Sequence, residues 1–184
     1  ALTWLFKFLP NLKSIKFCSF SSFQDEDRIH RLLSIIFSQP ENLETIDIDL
    51  TQTSISDLSI VFLVEKVLPR IKNLKTFSCR LYACKSKITG LVLQAFAQAN
   101  FAYKQPNLEI FRLNIAGALF EDEDIIQLLK TVPNVKDLLF GFGNTELTDQ
   151  ALEAFSTYLL PSLNRVERFE LGFWETKLPG TGVY

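Results

Sequence analysis

The sequence predicts an α/β fold in which about six short strands alternate with helices. Six segments of the 184 residues share the spacing apolar-x-x-apolar-x-apolar, and the stretches between them carry apolar residues at helical intervals. The first apolar residues recur at intervals of 31, 31, 34, 27 and 31 residues, which indicates a repeated structural unit. The units are predicted to start near Leu12, Leu43, Leu74, Leu108, Val135 and Val166.

Each segment is predicted to be a strand because its later apolar residues alternate with other residues. Such alternation buries one face of a strand and turns the other face outward. An open doubly wound sheet also alternates strand and helix. It would show longer buried strands and usually a phosphate-binding loop, and neither is present in the sequence. The segments cover residues 10–17, 41–50, 72–81, 106–115, 133–142 and 164–173.

Two stretches between the strands show the clearest helical pattern. Ser56-Asp57 and Thr148-Asp149 are predicted to cap helix starts, where an acidic residue suits the positive end of the dipole. The acidic runs 25–27 and 121–124 are interpreted as further helix starts, because they lack the glycine and ligand spacing of a calcium loop. The residues predicted to face the core are Leu58, Phe62, Val64, Val67, Leu68, Leu152, Phe155, Leu159 and Leu160.

The succession of units resembles leucine-rich repeats of the long, helix-containing type, as in the ribonuclease-inhibitor and Ran GTPase-activating families. Residues 148–155, which read Thr-Asp-Gln-Ala-Leu-Glu-Ala-Phe, are especially similar to that type. The Phe- and Ile-rich units are also similar to divergent repeats of protist proteins. The resemblance covers about residues 9–178 and implies a leucine-rich-repeat solenoid, or horseshoe, with a parallel concave sheet of about six strands and convex helices.

The turns depart from this family. Its repeats commonly carry Asn or Cys shortly after the strand, where the side chain bonds the backbone of the turn. We therefore expect irregular turns and uneven curvature. The corresponding positions in this chain are interpreted as Phe20, Thr51, Tyr82, Ala116, Gly143 and Trp174.

Residues 1–184 are interpreted as a single leucine-rich-repeat domain that is a segment of a longer solenoid. The chain begins at Ala1 and contains no Met. Residues 2–9 read as the tail of a preceding helix, and residues 176–184 read as an unfinished unit. Solenoids need polar capping repeats, and neither end shows one.

The charge composition argues against two classes of binding partner, nucleic acids and anionic membranes. There are 19 Lys and Arg against 21 Asp and Glu, so the net charge is −2 and no basic cluster favours nucleic acid or an anionic membrane. No apolar run is long enough to span a membrane. The three cysteines lack metal-ligand spacing, which favours a reducing compartment. We expect a cytoplasmic protein, with a cytoskeletal location as the narrower alternative.

No catalytic, metal-binding or cofactor-binding motif is found, so the sequence predicts a protein that is not an enzyme and needs no cofactor. His30 is expected to be solvated on a helix face. Cys79 is expected to be buried. Two lysines beside Cys84 could lower the pKa of its thiol somewhat, but an inert thiol is the favoured interpretation. Asp47 and Asp49 are expected on one sheet face as hydrated charges, and a hydrolase using this pair is the least favoured alternative.

The outward positions of the strands form the candidate binding surface. Read along the predicted sheet, these positions interleave charges of both signs with Ile110 and Leu139, as a protein-binding face can. A second, less favoured surface comprises the aromatic residues Tyr82, Phe101, Tyr103 and Trp174. The candidate protein-binding residues are Lys16, Asp47, Asp49, Arg80, Ile110, Arg112, Asn114, Asp137, Leu139, Arg168 and Glu170.

These observations predict a non-enzymatic scaffold that binds one or more protein partners through its concave face. The resemblance to protist repeats implies a subunit or segment of a larger cytoplasmic or cytoskeletal assembly. The alternative is the substrate-recognition module of a ubiquitin ligase, or a leucine-rich-repeat protein that regulates a GTPase.

Overall fold

The computed structural model describes residues 9, 11–18, 25–37, 42–84, 88–100 and 104–176. Several predictions concern residues outside these ranges. They include the terminal segments 2–8 and 177–184, the turn position Phe20, the aromatics Phe101 and Tyr103, and the lysines beside Cys84.

The described strands form one six-stranded parallel sheet. The strands follow one another in chain order, so each strand pairs with the strand of the next unit. Every strand begins two residues after its predicted first apolar residue, which confirms the predicted spacing. The strands are β1 (Ser14–Cys18), β2 (Thr45–Asp49), β3 (Thr76–Arg80), β4 (Ile110–Asn114), β5 (Asp137–Gly141) and β6 (Arg168–Gly172).

A helix connects each strand to the next. The α-helices are α1 (Glu26–Ile36), α2 (Asp57–Phe62), α3 (Gly90–Ala99), α4 (Asp122–Leu129) and α5 (Asp149–Ala154). Helices α2 and α5 continue in the same way, through a wider π-helical turn (Leu63–Val67 and Phe155–Leu159) into a 3-10 turn (Leu68–Arg70 and Leu160–Ser162). Both 3-10 turns contain a proline, which lacks the amide hydrogen needed to continue an α-helix.

The predicted core-facing residues of these two helices are only partly confirmed. Val64, Val67 and Leu159 are buried, but Leu58 and Leu160 are more than half exposed. Leu58 lies beside the buried stripe that Ile60 and Leu63 begin. Leu160 follows its π-helical turn at the position that Leu68 occupies after the other one, and Leu68 is buried, so the turn does not by itself explain the exposure of Leu160.

The predicted helix starts are confirmed at the described N-termini. Asp25 caps α1 by accepting a hydrogen bond from the Arg28 amide, and Thr148 caps α5 by accepting one from the Gln150 amide. The acidic run at α4 forms a capping box between Glu121 and Asp124. Ser56 lies at the predicted cap of α2, but its side chain makes no cap hydrogen bond and instead donates to Glu26 in α1.

The same kind of contact joins successive helix starts. Asp57, the first residue of α2, accepts hydrogen bonds from the amide and hydroxyl of Thr89, which caps α3, at 2.8 and 2.6 Å. Asp122 of α4 accepts both corresponding bonds from Thr148. Acidic first residues therefore tie each of these helices to the cap of the following helix.

One apolar core lies between the helices and the inward face of the sheet. Its centre is a set of contacting phenylalanine rings, in which Phe111 stacks on Phe77 and meets Phe96 and Phe140 edge-on. The predicted inward residues of β2 to β5 are almost wholly buried. The terminal strand differs, because Phe169 of β6 is 40 % exposed.

The expectation of irregular turns is wrong for the five described turns that follow β2 to β6. Each has one residue with positive φ, always two positions after the last apolar residue of the strand segment: Gln52, Ala83, Gly117, Asn144 and Glu175. The side chains that bond turn backbone come one position later still, two residues after the positions assigned from the sequence. Thr53, Thr145 and Thr176 each donate to the carbonyl three residues earlier, and the Cys84 thiol donates to Leu50 O at 3.2 Å.

Candidate functional site

The strand residues that face away from the core form the candidate site, which we call the outward face. Strand pairing aligns these residues in three rows that run across the sheet, as the sequence predicts. All eleven candidate residues lie in these rows, next to one another. The rows are Ser14, Thr45, Thr76, Ile110, Asp137 and Arg168; Lys16, Asp47, Ser78, Arg112, Leu139 and Glu170; and Cys18, Asp49, Arg80, Asn114, Gly141 and Gly172.

Arg80 organises the β2–β3 side of the outward face. Its guanidinium donates to Asp49 at 2.9 Å, to Asp47 at 3.0 Å and to Ser78 Oγ at 3.2 Å. Lys16 of β1 lies 3.5 Å from the other oxygen of Asp47. The two aspartates are therefore partly buried members of one ion-pair network, and the expectation of freely hydrated charges is wrong.

The protonation behaviour of this network follows from its contacts. Burial alone would raise the pKa of the Asp49 carboxyl, but hydrogen bonds from Thr51 and Arg80 outweigh it and hold that pKa below its usual value. Burial would likewise lower the pKa of Arg80, and the hydrogen bond to Asp49 raises it instead. Asp49 and Arg80 consequently form a charged pair at neutral pH.

The β4–β5 side of the outward face has fewer charges and more apolar surface. Arg112 makes a two-point contact with Asp137, with one of its hydrogen bonds at 3.1 Å. The hydrogen bond to Asp137 raises the pKa of Arg112 against a smaller effect of burial. Ile110 lies opposite Asp137 in the strand pairing, and Leu139 lies opposite Arg112. Both apolar side chains are partly exposed, so apolar surface borders a fixed ion pair.

Glycines at the ends of β5 and β6 leave room for larger neighbours. A Cβ on Gly141 would lie 2.7 Å from Asn114 Cγ, and a Cβ on Gly172 would lie 2.1 Å from Trp174 Cζ3. A Cβ on Gly143 would lie 2.3 Å from Cε2 of the same indole ring. The Trp174 ring therefore lies across the backbone at the ends of these strands.

A fourth row, which the sequence analysis missed, alternates in charge across all six units. We call it the charge row: Lys13, Glu44, Lys75, Glu109, Lys136 and Glu167. Glu44 contacts the lysine on either side, at 2.7 and 2.8 Å, and Lys136 lies 3.4 Å from Glu109. Hydrogen bonds from Lys13 and Lys75 lower the pKa of Glu44 to about 2. The signal was visible in the sequence, because each member directly follows the first apolar residue of its unit.

The outward face has no arrangement suited to acid–base chemistry on the predicted pair. Arg80 fills the space between Asp47 and Asp49, where a reacting group or a cation would have to lie. Among the described residues, no cluster of three or more His, Cys, Asp or Glu side chains could hold a metal ion. The ion pairs with Arg80 and Lys16 thus account for the placement of Asp47 and Asp49 on one face.

The histidine and the two cysteines considered as a possible base and possible nucleophiles do not lie on the outward face. His30 of α1 faces α2 and is half-buried. Its Nδ1 lies 3.2 Å from Ser59 Oγ, and its ring contacts the ring of Phe62. The prediction of a solvated histidine is therefore wrong. Cys79 is buried as predicted, and burial raises the pKa of its thiol. Burial also raises the pKa of the Cys84 thiol, which agrees with the favoured interpretation of an inert thiol and not with a lowering by the neighbouring lysines.

Comparison with models of known protein families gives no match, and a search of curated proteins finds no relative. Within the described part of the chain, no helix combines the length and apolar character needed to cross a membrane.

Proposed function

We propose that this protein is a leucine-rich-repeat solenoid that binds a protein partner through its outward face. In this proposal the sheet lines the concave side, the helices lie on the convex side, and the protein is a non-enzymatic scaffold within a larger cytoplasmic or cytoskeletal assembly. The proposal concerns an interaction surface, since solenoids expose extended sheet faces to partners.

The repeat assignment is supported by features that recur in the same place. Parallel strands follow one another in chain order, and each described turn after β2 to β6 has its positive-φ residue at the same position. The Thr or Cys that bonds turn backbone also recurs at one position, in the turns that follow β2, β3, β5 and β6. The side chain that bonds the turn backbone, which the repeat family commonly has, is therefore present two residues after the positions assigned from the sequence.

The observation that carries the binding proposal is that partly exposed apolar side chains lie beside an ion pair that is already formed. Ile110 and Leu139 offer apolar surface, and Arg112 beside them is already neutralised by Asp137. A partner that covers this region would bury apolar area without leaving a charge unpaired, which is the costly event at interfaces. The fixed geometry also reduces the side-chain ordering that binding requires.

The proposal is tested by comparing Leu139 with a leucine on the helix side. A photo-crosslinking amino acid is placed at Leu139 or, as the control, at Leu58, which is 67 % exposed on α2. Proteins that are crosslinked at Leu139 and not at Leu58 are purified. The affinity of each for the unsubstituted chain is then compared with its affinity for the Leu139→Arg and Leu58→Arg variants. We expect Leu139→Arg to weaken binding by about 10- to 100-fold and Leu58→Arg to change it by less than about 2-fold.

The opposite ranking would overturn the proposal. If Leu58→Arg weakens binding and Leu139→Arg does not, the partner binds the helix side. Thermal unfolding of both variants shows whether a loss of affinity reflects a loss of folded protein.

A further inference from the structure

Leu139 lies between two polar side chains that reach across from the neighbouring strand β4. In β5, the outward residues before and after Leu139 are Asp137 and Gly141. The Arg112 guanidinium of β4 binds Asp137. The Asn114 side chain of β4 lies over Gly141, where an added Cβ would be 2.7 Å from Asn114 Cγ. Leu139 is therefore flanked along its strand by a guanidinium on one side and an amide on the other.

Each of these two flanking side chains has a hydrogen-bond donor that the described part of the chain leaves unused. Arg112 donates to Asp137 from Nε and Nη2, and its Nη1 donates to no described residue. Asn114 Oδ1 accepts a hydrogen bond from the Ala116 amide at 3.2 Å, while Asn114 Nδ2 has no acceptor among the described residues. Both side chains are half-buried on the outward face, so a partner that covers Leu139 also covers them.

The charge of Arg112 is already matched, which disfavours an anionic group of a partner at this place. Asp137 accepts two hydrogen bonds from the guanidinium. This contact, together with the carboxylates of Asp47 and Glu170, raises the pKa of Arg112. A carboxylate or phosphate that approached Arg112 would be repelled by Asp137 on the same guanidinium. A neutral carbonyl oxygen accepts a hydrogen bond without this repulsion.

The spacing of the two donors suits a polypeptide segment. Arg112 and Asn114 are two positions apart on one face of a strand, so their Cα atoms are about 6.6 Å apart. Alternate carbonyl groups of an extended chain have the same spacing and point to the same side. An extended segment therefore has the spacing to place one carbonyl oxygen at each donor.

We propose that the partner inserts an uncharged, extended segment that places an apolar side chain on Leu139 and carbonyl oxygens at Arg112 and Asn114. This inference rests on the proposed function, because it describes the chemistry of the partner that binds the outward face. It makes Arg112 and Asn114 the residues that determine specificity. A partner without acceptors at these places would bury both donors unpaired, which is costly.

The first test replaces the free amide donor of Asn114. Asn114→Asp keeps the oxygen that binds the Ala116 amide and puts a charged oxygen in place of Nδ2. The fold accepts aspartate at this position, since Asp49 occupies it in β2 and accepts the corresponding bond from the Thr51 amide at 3.1 Å. Affinity is measured for a protein that is crosslinked at Leu139 and not at Leu58.

We expect Asn114→Asp to weaken this binding by at least about ten-fold, because two oxygens would then face each other. Asn73→Asp makes the same exchange at an exposed asparagine that precedes β3, and it should change the affinity by less than about two-fold. Thermal unfolding of both variants establishes that they are folded.

The second test asks whether the partner oxygen at Arg112 is neutral or charged. Asp137→Asn keeps the shape of the side chain and removes the charge that matches Arg112. If the partner oxygen is neutral, the affinity should stay the same or fall. If it belongs to a carboxylate or phosphate, the released guanidinium should bind it at least about ten-fold more tightly.

The outcomes separate this inference from the proposed function. If Leu139→Arg weakens binding while Asn114→Asp does not, or while Asp137→Asn strengthens it, the outward face binds a partner of different chemistry and only the inference is overturned. If no protein is crosslinked specifically at Leu139, the proposed function fails and the inference fails with it. Weaker binding by Asn114→Asp without stronger binding by Asp137→Asn supports both.

Discussion

The interior strand β4 and the terminal strand β6 carry the same apolar spacing in different surroundings. Phe111 of β4 stacks on Phe77, meets two further rings and is 1 % exposed. Phe169 occupies the equivalent position of β6 and is 40 % exposed. The same spacing therefore forms a strand in both places, while the near-complete burial of Phe111 depends on rings from the units on both sides. In a stacked array, stability comes largely from contacts between neighbouring units.

The largest expected difference between the two regions is in the core. Phe111→Ala should lower the free energy of unfolding by about 3–5 kcal/mol, because it opens a cavity among packed rings. Phe169→Ala should cost less than about 1.5 kcal/mol, since much of its ring already contacts water. Denaturant unfolding of both variants measures the difference. Equal losses would mean that β6 is as well packed as β4 in solution.

The next difference concerns the ion pairs. Arg80→Met should cost about 1–2 kcal/mol, because it leaves Asp47 and Asp49 partly buried without their shared partner. Arg168→Met removes an exposed contact to Glu170 and should change stability by less than about 0.5 kcal/mol. Thermal unfolding at neutral pH compares them. Adding Asp47→Asn and Asp49→Asn to Arg80→Met should recover part of the loss, and no recovery would contradict the electrostatic explanation.

Helix starts should show a similar contrast. Asp57→Ala removes two hydrogen bonds to Thr89 at the start of α3 and should cost about 1–2 kcal/mol. Asp149→Ala, at the first residue of the last described helix, should cost only about 0.5 kcal/mol through the helix dipole. Urea unfolding of the two variants gives the comparison. A larger loss for Asp149→Ala would show that contacts between helix starts do not set the ranking.

The smallest effect is expected in the charge row and depends on pH. The folded-state pKa of Glu44 is about 2, below its ordinary value of 4.5, so Glu44 stabilises the fold above pH 4.5. That contribution is lost as the pH falls toward 2. The stability difference between the unsubstituted chain and Glu44→Gln should therefore close across this range, as measured by thermal unfolding. Glu153→Gln serves as the exposed control, and high salt should shrink the Glu44 effect.

The strands and their rows could be predicted because they depend on local spacing. Each first apolar residue places its strand two residues later, and equal spacing aligns the outward rows. The partners within those rows could not be predicted. Arg80 reaches two aspartates on the neighbouring strand, and this choice depends on the length and direction of side chains across the sheet.

Other errors came from contacts between units. His30 was expected in solvent because its own helix shows only an apolar stripe beside it, whereas Ser59 and Phe62 of the next helix cover it. The turn positions assigned from the sequence directly follow the last apolar residue of each strand segment, whereas the side chains that bond the turn backbone come two residues later. Thr53 and Cys84 were therefore not identified as the residues that bond the turn.

The alternating charges of the charge row limit how many neighbouring units can be gained or lost together. If the unit that starts near Leu43 were excised, Lys13 would lie beside Lys75, and two like charges would meet where Glu44 now separates them. Internal units can be gained or lost in pairs without this repulsion, but not singly.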